Sequence, residues 1–173
     1  MRIGAHESVA GGPHLVFDRA AADGCEALQL FSSYNMRWGA RPFDDVEASL
    51  FRSEAARLGW PLLSHASYLI NLASPDRTLW QRSIDALHQD LLRCETLGID
   101  GLVLHPGSPK GSGEAAGLAR VSRALGEIHR RAPGLRCRLL LENTAGQGDT
   151  LGHRFEHLGQ LFEQTYRGDR LGI

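Results

Sequence analysis

The sequence predicts an α/β fold of the (β/α)8 barrel type, of which about five βα units and the opening residues of a sixth strand are present. Three observations predict it. Short apolar runs alternate with segments whose apolar residues recur every three or four positions. No phosphate-binding glycine loop follows any of the runs. Several runs also carry a polar, metal-capable residue at or near their C-terminal ends, which is where barrel enzymes assemble their sites.

The runs are Arg2–His6, Ala27–Phe31, Pro61–His65, Gly101–His105, Arg138–Asn143 and the short Arg170–Ile173. Between them the period becomes helical. Phe51, Ala55 and Leu58 mark one stripe. Trp80, Ile84, Leu87, Leu91 and Cys94 mark a second, and Leu118, Val121, Leu125 and Ile128 a third. Asp44 with Glu47 reads as a capping box, and Ser74 followed by Pro75 as an N-cap and first helical residue. Gly24, Gly59 and Gly98 each stand where a helix should stop. Strands that are near-continuous apolar runs belong to a parallel sheet covered by helices. An open doubly wound sheet also fits the alternation, but neither GxGxxG nor GxxxxGK[ST] follows a strand. The barrel is therefore preferred.

Composition bounds the function. At 173 residues, 42% hydrophobic and 23% charged, the chain reads as one globular domain, residues 1–173. No apolar stretch approaches the length of a membrane span, and the opening residues lack a secretory core, so the chain is expected to be cytoplasmic. Cys25, Cys94 and Cys137 are scattered and odd in number. They read as small buried hydrophobes, not as a disulfide framework or a cysteine zinc site. A net charge of −1 argues against a generally basic nucleic-acid binder and leaves room for a local basic surface.

His65, His105 and Glu142 end the third, fourth and fifth strands, so in a barrel they converge on one mouth. Two imidazoles and a carboxylate suit zinc, manganese or iron and leave coordination positions open. Any one of these histidines alone reads as a hydrogen-bonded structural residue, but three candidate ligands on successive strand ends carry more weight. His88 and His129 read as helix-surface or boundary residues. His14, His153 and His157 read as mouth-lining or solvated.

Five blocks of the chain resemble the endonuclease IV (deoxyribonuclease IV) family: IGAHESVAGG at 3–12, SHASYLINLASP at 64–75, RCETLGI at 93–99, LHPGS at 104–108, and LLENTAGQGDTLG with FEHL within 140–158. The resemblance covers the family's N-terminal two-thirds and implies a TIM barrel that holds three zinc ions when complete. It also implies hydrolysis of the phosphodiester 5′ to abasic sites in double-stranded DNA, by a complete enzyme that is a monomer. It makes His65 and His105 ligands of one zinc, and Glu142 the carboxylate bridging that zinc to a second. Glu142 and His6 become the catalytic-site residues, and Tyr68 and Leu69 the wedge entering the base stack. Arg37 and Trp38 fall in a second DNA-contacting loop. That loop reads FSSYNMRW here, where the family's is close to F-T-K-N-x-R-x-W, with Arg41 nearby. The family's remaining ligands come from the sixth to eighth strands. The resemblance therefore implies at most one full zinc site in these residues, little activity for the chain by itself, and self-association through open sheet edges. The rival readings are a sugar isomerase or epimerase on the same barrel, and a non-catalytic truncated remnant.

Overall fold

The computed structural model describes residues 1–165 and 170–173. Six strands form one parallel sheet in the order of the chain: β1 (Gly4–Glu7), β2 (Ala27–Phe31), β3 (Leu62–His65), β4 (Gly101–Leu104), β5 (Arg138–Leu141) and β6 (Leu171–Gly172). The helices between them are α1 (Val16–Ala22, after a 3-10 turn at Pro13–Leu15), α2 (Asp45–Leu58), α3 (Arg77–Leu97), α4 (Glu114–Arg131) and α5 (Phe155–Thr165). A doubly wound sheet reverses its strand order at a switch point. This one never does, and α2 to α5 pack on one another in sequence, so the helices form a single outer layer. That is the winding of a barrel. Among the described residues β1 is paired only with β2, which leaves its other edge free.

The register explains the burial. Leu28 and Leu30 of β2, Leu102 and Leu104 of β4, and Leu139 and Leu141 of β5 point outward and are fully buried under the helices. They meet the stripes read from the sequence: Phe51 of α2; Ile84, Leu87, Leu91 and Cys94 of α3; Leu118, Val121, Leu125 and Ile128 of α4. Burying one such leucine contributes about 2 kcal/mol. The alternate residues Gln29, Leu63, Val103 and Leu140 face the barrel interior and are half-buried. All three cysteines are free and buried. Hydrogen bonding to Cys94, together with burial, pushes the Cys137 thiol well above its ordinary value.

The ends of α2 follow the sequence. Asp44 Oδ1 accepts the Glu47 N–H at 2.8 Å, and Glu47 accepts the Asp44 N–H in return. The start of α3 is a correction. Its N-cap is Asp76, not Ser74, because the Asp76 carboxylate accepts the N–H groups of both Thr78 and Leu79. Ser74 Oγ accepts the Asp76 N–H at 3.1 Å and so shapes the turn before the cap. A carboxylate serves two orphan donors and meets the positive end of the helix dipole, which a hydroxyl does less well.

Candidate functional site

His65 is the last residue of β3, while His105 and Glu142 directly follow β4 and β5. Parallel neighbours deliver all three to the same edge of the sheet. His65 Nε2 lies 2.9 Å and His105 Nε2 3.2 Å from one oxygen, Oε2 of Glu142. The three potential ligand atoms fall within 4.8 Å of one another.

The tautomer of His65 decides what this cluster is suited to. Its Nδ1 sits 2.7 Å from the Ala66 carbonyl, which can only accept, so Nδ1 carries the proton. In the neutral ring Nε2 then presents a lone pair to a carboxylate oxygen. Two acceptors at 2.9 Å repel unless a cation sits beside both. Either a second proton or a metal ion answers that need. Imidazole with its far nitrogen tied to a carbonyl is the usual form of a histidine ligand. The donor set therefore fits a metal.

The other predicted residues surround this point to different degrees. His6, on β1, stands beside Phe31 with ring centroids 4.4 Å apart, and Gln29 Nε2 donates to its Nδ1 at 3.1 Å. It lies outside the three-residue cluster. Partial burial, and then the proximity of His65, hold its pKa below the ordinary histidine value. Tyr68 is exposed, yet its ring centroid lies 5.2 Å from that of His65 and 5.9 Å from that of His105. Leu69 beside it is half-buried. Arg37 is exposed over the Tyr34 ring. Trp38 is held against the core under the Arg82 guanidinium, 4.4 Å from the ring centre. Arg41 is not a free cation: it pairs with Glu47 in the α2 capping box.

Asp90 is a residue that sequence reasoning missed. Buried beneath the loops after β2 and β3, it is hydrogen-bonded to the Ser33 side chain and the Ser67 backbone, and burial raises its pKa. Beside it Arg93 donates to the Ser32 and Arg41 carbonyls with the Phe43 ring 4.2 Å from its guanidinium. The Asn35 carbonyl accepts the Tyr68 N–H at 3.0 Å and the Ser67 hydroxyl at 2.9 Å. The two predicted contact loops are thus bonded to each other and to α3. A groove of about 460 Å³ opens beside His105 and Glu142, walled by Asn143, Thr144, Gly146 and Gln147.

A second cluster, Glu114, His153 and His157, also brings potential ligands together. His157 is buried, neither solvated nor at the mouth. Its Nδ1 accepts the Gly152 N–H at 3.2 Å, so the ring proton sits on Nε2, which faces Glu114 Oε2 at 2.9 Å with the Arg154 guanidinium nitrogens 2.8 and 3.0 Å away. Arg154 also pairs with Glu114. The one lone pair of the His157 ring is taken by Gly152, and a cation is already present beside Glu114. His129 is likewise buried on α4, where the sequence suggested a boundary.

A singly wound parallel sheet, helices on its outer face, and two imidazoles meeting a carboxylate at the strand C-termini define a (β/α)-barrel protein with a metal-capable mouth. The chain belongs to the xylose isomerase-like TIM barrel family, whose sequence profile matches residues 17–173. It is 46% identical over 173 residues to a probable endonuclease 4 of Chloroflexus aurantiacus, covering 99% of this chain and 61% of that protein. The crystal structure of endonuclease IV from Thermus thermophilus superposes with a TM-score of 0.84 at 37% identity, over 95% of this chain and 60% of that one. The resemblance to endonuclease IV read from the sequence is thereby borne out. The chain spans about three-fifths of the length of these relatives. A D-tagatose 3-epimerase-like protein matches with a TM-score of 0.72 at 18% identity, over 99% of this chain and 64% of that one, a likeness of fold alone. Among the described residues no helix is long and apolar enough to cross a membrane.

Proposed function

We propose that this chain carries the N-terminal part of a DNA-repair endonuclease of the endonuclease IV type, which hydrolyses the phosphodiester 5′ to an abasic site in duplex DNA. The observation that carries the reading is the meeting of His65 Nε2 and His105 Nε2 on one Glu142 oxygen, with the exposed Tyr68 ring directly beside them. Zinc is the metal proposed, held by these three side chains, where it would supply Lewis-acid activation of water and of a phosphate oxygen. Glu142 meets both histidines through Oε2, so its other oxygen could reach a second ion, and His6 stands at the same mouth. Tyr68 and Leu69 form an apolar wedge that offsets unstacking of the duplex, which costs a few kcal/mol. Arg37 offers an exposed guanidinium for a backbone phosphate, and Trp38 anchors its loop. The described residues supply one full ligand set, so the 173-residue chain is expected to hold one zinc and to show negligible incision by itself. The free edge of β1 supports self-association of the chain.

Binding of zinc-loaded chain to a duplex with one abasic analogue, against the same duplex intact, tests the reading by fluorescence anisotropy. The abasic duplex should bind at least about tenfold more tightly, and Tyr68→Ala/Leu69→Ala should remove most of that margin. Equal affinity for the two duplexes overturns the reading.

A further inference from the structure

Asn71 sits at the end of the loop that begins with Tyr68 and is 9% exposed. Both polar atoms of its side chain are used. Oδ1 accepts the N–H groups of Ala73 at 3.1 Å and Ser108 at 3.0 Å, and Nδ2 donates to the Ser108 carbonyl at 2.9 Å. Its own backbone N–H is held by the buried Ser83 hydroxyl of α3, at 3.0 Å. The paired bonds to both backbone groups of Ser108 copy a strand-like exchange and fix that residue in two directions. Ser108 is three residues from His105.

The seat for this contact is Gly107. A Cβ there would lie 2.2 Å from Asn71 Oδ1, and its φ of +103° is a conformation only glycine adopts without strain. The Gly107 carbonyl in turn accepts the Leu151 N–H at 2.8 Å, from the loop that begins at Glu142. The buried amide therefore joins the loops that follow β3 and β4, and the Gly107 carbonyl joins the second of these to the loop after β5; each of the three loops adjoins one residue of the His65–His105–Glu142 cluster.

We propose that Asn71 is a positioning residue that couples the Tyr68–Leu69 loop to the metal cluster by holding the His105–Ser108 turn. Displacement of that loop by a bound duplex is then transmitted to His105, and a metal at His105 stiffens the loop. The inference rests on the metal reading above. A direct hydrogen-bond partner of a ligand is worth about tenfold to a hundredfold in metal affinity; Asn71 acts on His105 through the turn to Ser108, so its effect should fall at or below the lower end of that range.

The test uses cobalt(II), whose visible absorption reports its ligand geometry, titrated into the full 173-residue chain. Wild type should take up one equivalent with an intense visible band. Asn71→Asp keeps the Oδ1 acceptor but sets an oxygen against the Ser108 carbonyl. It should bind cobalt more weakly, by roughly threefold to tenfold, with a shifted band. The core variant Ile84→Val, which loosens the fold without touching these bonds, should leave the band in place. An Asn71→Asp protein with wild-type affinity and spectrum overturns the inference while leaving the metal reading intact. A wild type that binds no cobalt overturns the metal reading itself, and the inference with it. If Asn71→Asp does not fold, amide exchange on the wild type decides: saturating zinc should slow Ala73 and Ser108 selectively, and unchanged rates overturn the coupling.

Discussion

Two clusters in this molecule contain the same side chains, two histidines and a glutamate, yet they are suited to opposite tasks. At the strand ends, Ala66 fixes the proton on the far side of His65 and leaves Nε2 facing the Glu142 carboxylate with nothing between them. At the start of α5, the Gly152 N–H takes Nδ1 of His157 and so puts the proton on Nε2, towards Glu114, and Arg154 already neutralises that carboxylate. Residue type and proximity are alike in the two places. What separates them is where the protons are held and whether the protein supplies its own cation.

The comparison can be broken most directly by removing ligands. His105→Ala should lower zinc affinity by more than the roughly hundredfold that outer partners of a ligand are worth, measured by competition with a chelator. His153→Ala should leave zinc stoichiometry and affinity unchanged. Loss of zinc from the second variant would mean that the arginine-filled cluster holds metal after all.

A smaller effect is expected from dismantling the second cluster. His157→Ala leaves the buried Gly152 N–H without a partner and opens a cavity at a fully buried ring, and should cost about 2 kcal/mol of stability in urea unfolding with zinc binding retained. A stability unchanged from wild type would show that water replaces the imidazole and that the cluster is not structural.

The smallest effect belongs to an exposed ion pair, where solvent screens what burial would amplify. The Arg41 guanidinium, and then the Asp44 backbone, hold the Glu47 carboxyl at about 2, below the ordinary glutamate value. A depressed folded pKa means that its contribution is complete above the unfolded value and is lost as pH falls towards the folded one. The contribution of Glu47 to the α2 cap should therefore be complete above pH 4.5 and fade as the pH falls to about 2. The Glu47 side-chain resonance should titrate there, and Arg41→Ala should move its midpoint upward. A midpoint at the ordinary glutamate value in wild type would remove the pair from the account of this helix.

Much of the fold was legible because strand and helix periods differ, and the outward leucines of β2, β4 and β5 repeat as the pleat demands. The cluster at the mouth was legible because each member stands at the end of an apolar run. Asp90 was harder to see, since local pattern places it inside a helix. The available signal was a charge three residues after Leu87 and four before Cys94, on the face that should be apolar. The burial of His157 depends on partners from Glu114 to Gly152, and sequence spacing does not show which of them meet. The choice between Ser74 and Asp76 as a cap turned on which side chain could accept two backbone donors, a matter of two residues that pattern leaves open.

The strand order has a consequence for how the molecule comes into being. Each strand hydrogen-bonds to the one made just before it, and no described strand waits for a partner from a distant part of the chain. Each pairing must still span a whole helix, as between Gly4 and Ala27 or Leu63 and Gly101, and such parallel pairing is slow, but chains fold from the N-terminus while they are being synthesised. The sheet can therefore be laid down one βα unit at a time as the chain leaves the ribosome. His65, His105 and Glu142 emerge in that order, so the mouth gains its carboxylate only when β5 is added.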